Sequence, residues 1–286
     1  MKYLNLYINY LKYEKSYSDN TILNYEKDIE EFISINKDIL NIKYKDIKDY
    51  LIELNSNKLS KSSISRKLCS LRNFYKYLVK QNIVSNNPFN MVHNPKLDFK
   101  LPNYLDNSEL DKIFEYSNND KMYLRDKLII ELLFDTGIRV SEAVHIKLSD
   151  INGNNIKIFG KGSKERIVYF GEYFNDLFNK YLVFRNKLVG NKHEYLLINS
   201  RGDKISDRGI RLIIDKICTK CNLNKHYSPH SLRHSFATSM LECGADITTV
   251  KELLGHSSTA STSIYTHVTN ERLRNVYLKN HPRARK

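Results

Sequence analysis

The feature that most constrains this chain is where glycine is missing: none of its ten glycines precedes Gly137. Glycine enters left-handed and tight-turn backbone without steric cost, so a long opening stretch without it is expected to be nearly pure helix. Apolar spacing supports helices over residues 2–15, 20–36, 44–56 and 61–81; in the second, Ile22, Tyr25, Ile29, Phe32 and Ile33 recur at helical spacing. The fourth is the most informative. At about 100° per residue, Ile64, Leu68, Leu71, Phe74, Tyr75 and Leu78 share one arc, and Lys61, Arg66, Arg72, Lys76 and Lys80 occupy the opposite one. Lys67 falls off the pattern. No acidic residue lies between Lys61 and Asn82, so the basic arc is expected to follow a phosphate backbone or enter a groove of DNA.

A length of 286 residues exceeds the ~100–200 typical of one domain. Three of the five prolines, Pro88, Pro95 and Pro102, cluster where the helical part ends. Such segments resist helix and read as a linker, so the boundary is placed near residue 100, with domains at 1–98 and 99–286. The second domain is expected to open with a helix capped near Asn107 or Ser108, then a helix over 120–135 with Leu128, Leu132 and Leu133 inward, stopped at Gly137. Residues 156–159 and 166–170 read as short strands joined by the turn Gly160-Lys161-Gly162-Ser163. Helices follow near 206–222, 229–243, 246–254 and 270–279. The expected fold is therefore mainly α: a four-helix N-terminal domain and a mixed α/β C-terminal domain with a small antiparallel sheet.

Lys and Arg number 46 against 32 for Asp and Glu, a formal charge of +14, which favours a polyanion such as nucleic acid. An AT-rich genome would also enrich Lys, Asn, Ile and Tyr, so motifs must decide. No apolar run approaches the ~20 residues of a membrane span, and the N-terminus has no uninterrupted apolar segment of the kind a secretory signal requires; the cytoplasm is the expected compartment. Four cysteines are too few and too scattered for a disulfide framework. Cys218-x-x-Cys221, with His226 and His230 nearby, has zinc-like spacing. Both cysteines fall inside an expected helix, however, where Cys221 continues the apolar series Ile210, Ile213, Ile214 and Ile217, and no metal site is assigned.

Ser228-Pro229 is a helix start, with Ser as N-cap and Pro at the first helical position. His230 and Arg233 then project from one face near an end that carries partial positive charge. Leu253-Leu254-Gly255-His256 ends a helix at glycine and sets His256 just outside it. Tyr265 follows within Ser263-Ile264-Tyr265-Thr266-His267. Upstream, Thr136-Gly137-Ile138-Arg139-Val140-Ser141-Glu142 places an arginine on the turn between two helices. Alone, none of these pieces is specific.

Together they resemble the tyrosine recombinase (phage integrase) family, whose site carries Arg, Lys, His-x-x-Arg, His or Trp, and Tyr in that order. The matching positions are Arg139, Lys161, His230, Arg233, His256 and Tyr265. The flanks "TGIRVSE", "GKGSKER", "SPHSLRHSFATSML" and "LLGHSSTASTSIYTHV" are similar to the Xer branch, and "SDNTILNYEKDIEEF" and "SRKLCSLRNFYKYL" extend the resemblance through the first domain. It implies a SAM-like core-binding domain that clamps DNA together with a catalytic domain, Tyr265 as the nucleophile that forms a 3′-phosphotyrosyl bond, and a tetramer on two DNA sites. It also implies a C-terminal tail that docks on the neighbouring protomer, and a task in resolving chromosome or plasmid dimers, alone or with a second Xer-like recombinase and the FtsK translocase.

Chemistry agrees with that resemblance. Two arginines, Arg139 and Arg233, can stabilise charge on the non-bridging oxygens of a phosphodiester under attack. Tyrosine, with an ordinary pKa of ~10, needs a base or nearby cations to become a nucleophile, and His230 fits the base. His256 would hydrogen-bond the phosphate or position Tyr265. Lys161 could protonate the departing 5′ oxygen. Glu142 reads as a group that orients a neighbour. The family needs neither ATP nor metal, no G-K-[ST] phosphate loop is present, and no cofactor is expected. A mobile-element integrase shares the chemistry, and a non-catalytic architectural DNA-binding protein would share only the clamp.

Overall fold

In the segment Lys61–Lys80 the apolar arc becomes the central helix of the first folded unit. The structure, a computed structural model, describes residues 1–96, 104–117, 120–160, 165–190, 192–223, 225–255 and 267–285, without the side chains of 267–269. It divides into two units, Met1–Lys100 and Leu101–Lys286. The first holds helices α1 (Lys2–Asn9), α2 (Asp19–Ile35), α3 (Tyr44–Ser56) and α4 (Lys61–Lys80), with a π-helical turn, Tyr10–Glu14, after α1. Ser60 caps α4 by accepting from the Ser63 N–H at 3.1 Å, and Leu68, Leu71, Phe74 and Leu78 are buried against Ile29, Phe32, Ile47 and Tyr50.

Lys67 lies on the apolar arc, and α2 explains how a lysine is accommodated there. Its ammonium sits 2.5 Å from Glu31 Oε2 and 3.5 Å from Asp28 Oδ1. Asp28, itself buried, also accepts from Arg66 and from Ser70 Oγ at 3.1 Å. The acids missing from α4 are thus supplied across the helix pair, as a buried charge requires. Turns in this glycine-free unit use left-handed backbone at Ser16, Lys58 and Asn82, with φ of 50°, 53° and 54°. One part of the expected linker is core instead. Pro88 opens a short 3-10 turn, Pro88–Met91, capped by the Asn87 side chain, which buries Phe89 completely. Proline fits the first position of such a turn because its missing N–H would be unpaired there anyway.

The second unit begins with α5 (Asn107–Glu115), capped by Asp106 in a reciprocal pair with Glu109, one residue before the expected cap. Helix α6 (Tyr123–Thr136) is buried nearly all round and ends at Gly137, left-handed at φ 58°. A Cβ there would lie 2.5 Å from the Phe236 ring, so close packing and backbone both call for glycine. After the short α7 (Val140–Ala143), strands β1 (Ile151–Asn152), β2 (Asn155–Phe159) and β3 (Glu165–Tyr169) form an antiparallel sheet in sequential order. The sequence reading finds β2 and β3 but not β1, which at two residues is too short to show alternation. The β2–β3 turn residues 161–164 lie outside the described residues.

Helix α8 (Glu172–Val189) has no counterpart in the sequence reading. Its buried face is Phe174, Tyr181, Arg185 and Val189, and a buried arginine interrupts the apolar series. Arg185 is held by main-chain carbonyls, with Nε donating to Tyr195 at 2.9 Å and Nη2 to His193 at 2.9 Å. Helices α9 (Asp207–Lys220), α10 (Pro229–Glu242), α11 (Ile247–Leu254) and α12 (His267–Asn280) complete the unit. In α9 it is Cys218 that continues the buried apolar series, while Cys221 is the partly buried C-cap. Among the described residues no group of His, Cys, Asp and Glu is arranged to hold a metal ion, and no helix is long and apolar enough to cross a membrane.

The C-terminal segment packs on its own unit. Leu273, Tyr277, His281 and Ala284 are buried. The His281 ring stacks on Tyr277 with centroids 4.9 Å apart, and its Nδ1 is 3.7 Å from Asp135. Burial pushes His281 down to about 3 and Asp135 well up, so both favour their neutral forms. Arg283 Nε donates to the buried Glu131 at 2.6 Å and its guanidinium lies over Phe114 and Tyr173, 3.9 and 4.2 Å from their centroids.

Candidate active site

Arg139 is the N-cap of α7, so its position follows from the turn that Gly137 starts. The Arg139 N–H donates to Glu142 Oε2 at 2.8 Å and its Nη1 to Glu142 Oε1 at 3.1 Å. The Arg139 side chain keeps 39% of its surface exposed, while that of Glu142 keeps only 6%. Glu142 also takes a two-pronged bond from Arg166 on β3, with Nη1 to Oε1 at 2.9 Å and Nη2 to Oε2 at 2.7 Å. Burial alone would raise the Glu142 carboxyl. The hydrogen bonds from Arg166 and the Arg139 N–H, with the charge of both arginines, outweigh it and hold the carboxyl below its usual range.

Arg233 arrives from α10, whose first turn is set by Ser228 and Pro229 as expected. It is buried, and its fork spans two helix ends: Nη1 donates to the Gly137 carbonyl at 2.5 Å and Nη2 to the Leu254 carbonyl at 2.7 Å. Burial first, then the positive charge of Arg139, lowers Arg233 to about 10, with Glu142 opposing and Arg166 adding to the shift. An arginine so lowered is still charged at neutral pH, and the strain between like charges would be relieved by an anion. His230, on the same helix, is exposed.

The structure therefore brings Arg139 and Arg166 onto one carboxylate, with Arg233 near enough for the three charges to act on it. Lys161, His256 and Tyr265 lie outside the described residues; in the sequence Lys161 follows β2, His256 follows the Gly255 that ends α11, and Tyr265 precedes α12. Arg166 is the residue sequence reasoning missed. Its signal was strand alternation: it pairs with the buried Ile158 and shares a face with Val168, so it points inward from β3.

In the first unit the five basic residues expected on the exposed arc of α4 divide. Lys61, Arg66, Lys76 and Lys80 are exposed, Arg66 while bonded to Asp28; Lys80 Nζ lies 5.0 Å from the Tyr10 ring centroid. Arg72 is turned to structural work, with Nη2 donating to the Val92 carbonyl at 2.8 Å and to Asn94 Oδ1 at 3.1 Å. Its place on the exposed arc is thereby corrected: it folds down to hold the segment after α4.

Comparisons with known proteins bear on this arrangement. Residues 103–272 match the phage integrase family and residues 4–82 match the phage integrase N-terminal SAM-like domain. The chain is 43% identical to tyrosine recombinase XerC of Listeria welshimeri serovar 6b, covering 97% of each protein. It is 44% identical to that of Staphylococcus saprophyticus, covering 98% of this chain and 97% of the other. Among solved structures, XerA recombinase matches at 30% identity and a TM-score of 0.51 over 99% of this chain and all of the other. XerH bound to difH substrate in a pre-cleavage complex matches at 28% and 0.65, over 90% and 78%. With both units matched and the arginine cluster in place, the chain belongs to the phage integrase family of tyrosine site-specific recombinases.

Proposed function

We propose that Arg139 and Arg233 hold the two non-bridging oxygens of the scissile phosphate while Tyr265 attacks it, giving a 3′-phosphotyrosyl bond and a free 5′ hydroxyl. The observation that carries this reading is that Arg139 and Arg166 share the Glu142 carboxylate while the buried Arg233 lies near enough to feel all three charges, a surplus of fixed positive charge matched to the trigonal-bipyramidal transition state. His230 takes the phenol proton, Lys161 protonates the 5′ oxygen, and His256 positions Tyr265 or donates to the phosphate. The arginines and Lys161 together supply the charge stabilisation this chemistry calls for, so no cofactor is assigned. The phosphotyrosyl bond retains the energy of the broken ester, and religation to a new 5′ hydroxyl completes an exchange.

The exposed lysines of α4 bind the DNA backbone, clamping duplex together with the second unit. Four protomers assemble on two sites, in the cytoplasm, with the resolution of chromosome or plasmid dimers as the task; a second Xer-like recombinase and the FtsK translocase are the partners. The likeness to XerC proteins over nearly the whole chain favours this task over that of a mobile-element integrase. A DNA substrate nicked beside the scissile phosphate tests the chemistry. The wild-type chain should become covalently joined to it, and Tyr265→Phe should bind it with near-normal affinity and form no adduct. An adduct formed by Tyr265→Phe would move the nucleophile to another residue.

A further inference from the structure

We propose that Arg166 is a positioning residue for strand cleavage, which fixes the Arg139 turn through Glu142 and keeps the outer donors of Arg139 free for the phosphate. The inference rests on the reading of Arg139 as a phosphate ligand. Glu142 is almost wholly buried and accepts four hydrogen bonds, two from the Arg166 fork and two from Arg139. A carboxylate offers about four lone-pair sites, so it is saturated. Arg139 consequently gives it a single guanidinium bond, at 3.1 Å, the longest of the four, and its side chain stays partly open.

Without Arg166 the balance changes. A buried carboxylate with vacant lone pairs is costly, and Arg139 is a partly exposed cation already bonded to it. Its guanidinium would swing to take both oxygens in the fork geometry that arginine and carboxylate favour, withdrawing the donors that a phosphate needs. Arg166 also sits where three segments of the site meet. It stands five residues after Lys161 on the same hairpin, bonds to the α7 turn, and packs on Gly255, where a Cβ would come within 2.9 Å of its Cδ. Gly255 is left-handed, at φ 67°, and directly precedes His256.

The test is a double-mutant cycle on the nicked substrate, reading the single-turnover rate of covalent adduct formation alongside DNA affinity and melting temperature. Arg166→Gln should slow adduct formation by about 10²-fold, the scale of a small misplacement in a catalytic constellation, with DNA affinity within about 3-fold of wild type. In a Glu142→Gln background, where no carboxylate remains to capture Arg139, the same Arg166→Gln substitution should cost less than about 3-fold. An equal cost in both backgrounds would make Arg166 a simple structural staple and overturn the proposal, as would a near-wild-type rate for Arg166→Gln alone. Should Arg166→Gln fail to fold, Arg166→Lys carries the same cycle: it keeps the charge but cannot fork, and a wild-type rate from it is equally fatal. Arg139→Ala, measured in parallel, separates the premise from the proposal, since normal cleavage by that variant would remove Arg139 as a phosphate ligand.

Discussion

Arg283→Ala should destabilise the second unit by about 3 kcal/mol near neutral pH, and by much less in mild acid. Arg283 reaches back from the C-terminus to Glu131, whose side chain is 1% exposed. Removing one partner of a buried pair costs roughly 3–5 kcal/mol when the other must stay charged, but Glu131 can escape by taking up a proton. Holding a carboxyl with an unfolded pKa of ~4.3 protonated at about pH 7 costs about 3.7 kcal/mol, which sets a ceiling. Burial already raises the Glu131 carboxyl in the intact protein, against the opposing effect of Arg283, so part of that ceiling is present before the substitution. The charge penalty that the substitution adds is therefore below that ceiling of about 3.7 kcal/mol, and losing the stack on Phe114 and Tyr173 adds about 1 kcal/mol.

The sign follows from the raised carboxyl. Its penalty is fully present above the folded-state pKa and disappears as pH falls toward the unfolded value, so at about pH 5 the ceiling is only about 1 kcal/mol. Urea unfolding of Arg283→Ala and wild type at the two pH values measures the gap; subtracting wild type at each pH cancels the titrating groups that Arg283 does not influence, and Asp135 and His281, which it does, already favour their neutral forms. The Glu131→Gln/Arg283→Ala double variant should show a gap that does not vary with pH. A gap for Arg283→Ala that stays constant or widens in acid would refute the reasoning.

On a substrate with sulfur at the 5′ bridging position, Lys161→Ala should regain most of the ~10²–10⁴-fold it loses on normal DNA. Arg139→Ala should not, because charge on the non-bridging oxygens still develops; equal failure of both would give Lys161 a binding role. Lys76→Ala should lower DNA affinity and reduce the salt slope by about 0.9 for each phosphate that Lys76 neutralises, checked by titration across ionic strengths. Arg72→Ala should instead cost about 2 kcal/mol of first-unit stability through its missing hydrogen bonds, measured by chemical denaturation. Truncation after Asn270 should lower the melting temperature of the monomer, because it strips Leu273, Tyr277 and Ala284 from the core; an unchanged melting temperature would show that the tail contributes nothing in cis.

The sequence is legible wherever one rule acts alone. Helical spacing in α4, Ser228-Pro229 before α10, and the glycines at 137 and 255 each mark a local preference that nothing distant opposes. Arg139 and Arg233 are placed by the same kind of local signal, each near a helix terminus. What escapes depends on partners far along the chain. Lys67 breaks its helical pattern because Asp28 and Glu31 lie across from it, and α8 carries a buried Arg185 held by the carbonyls of residues 193 and 195. Arg166 looks like one more surface charge in a basic protein until Glu142 is seen opposite it. The tail reads as an arm for a neighbour, because the buried acids of α6 that receive Arg283 and His281 are more than a hundred residues upstream.

Arg72, Arg185 and Arg233 all anchor on main-chain carbonyls: Val92, the pair His193 and Tyr195, and the pair Gly137 and Leu254. A carbonyl is present whatever side chain its residue carries, so mutation cannot delete these acceptors; only a change in the path of the backbone can. Descendants of this chain are consequently free to drift in sequence at Val92, Tyr195 and Leu254, within the limits of packing, while the three arginines have no such freedom. Divergence along this lineage should erode the receiving positions first and leave the donors standing, so that the backbone paths these arginines hold outlast most of the sequence that first built them.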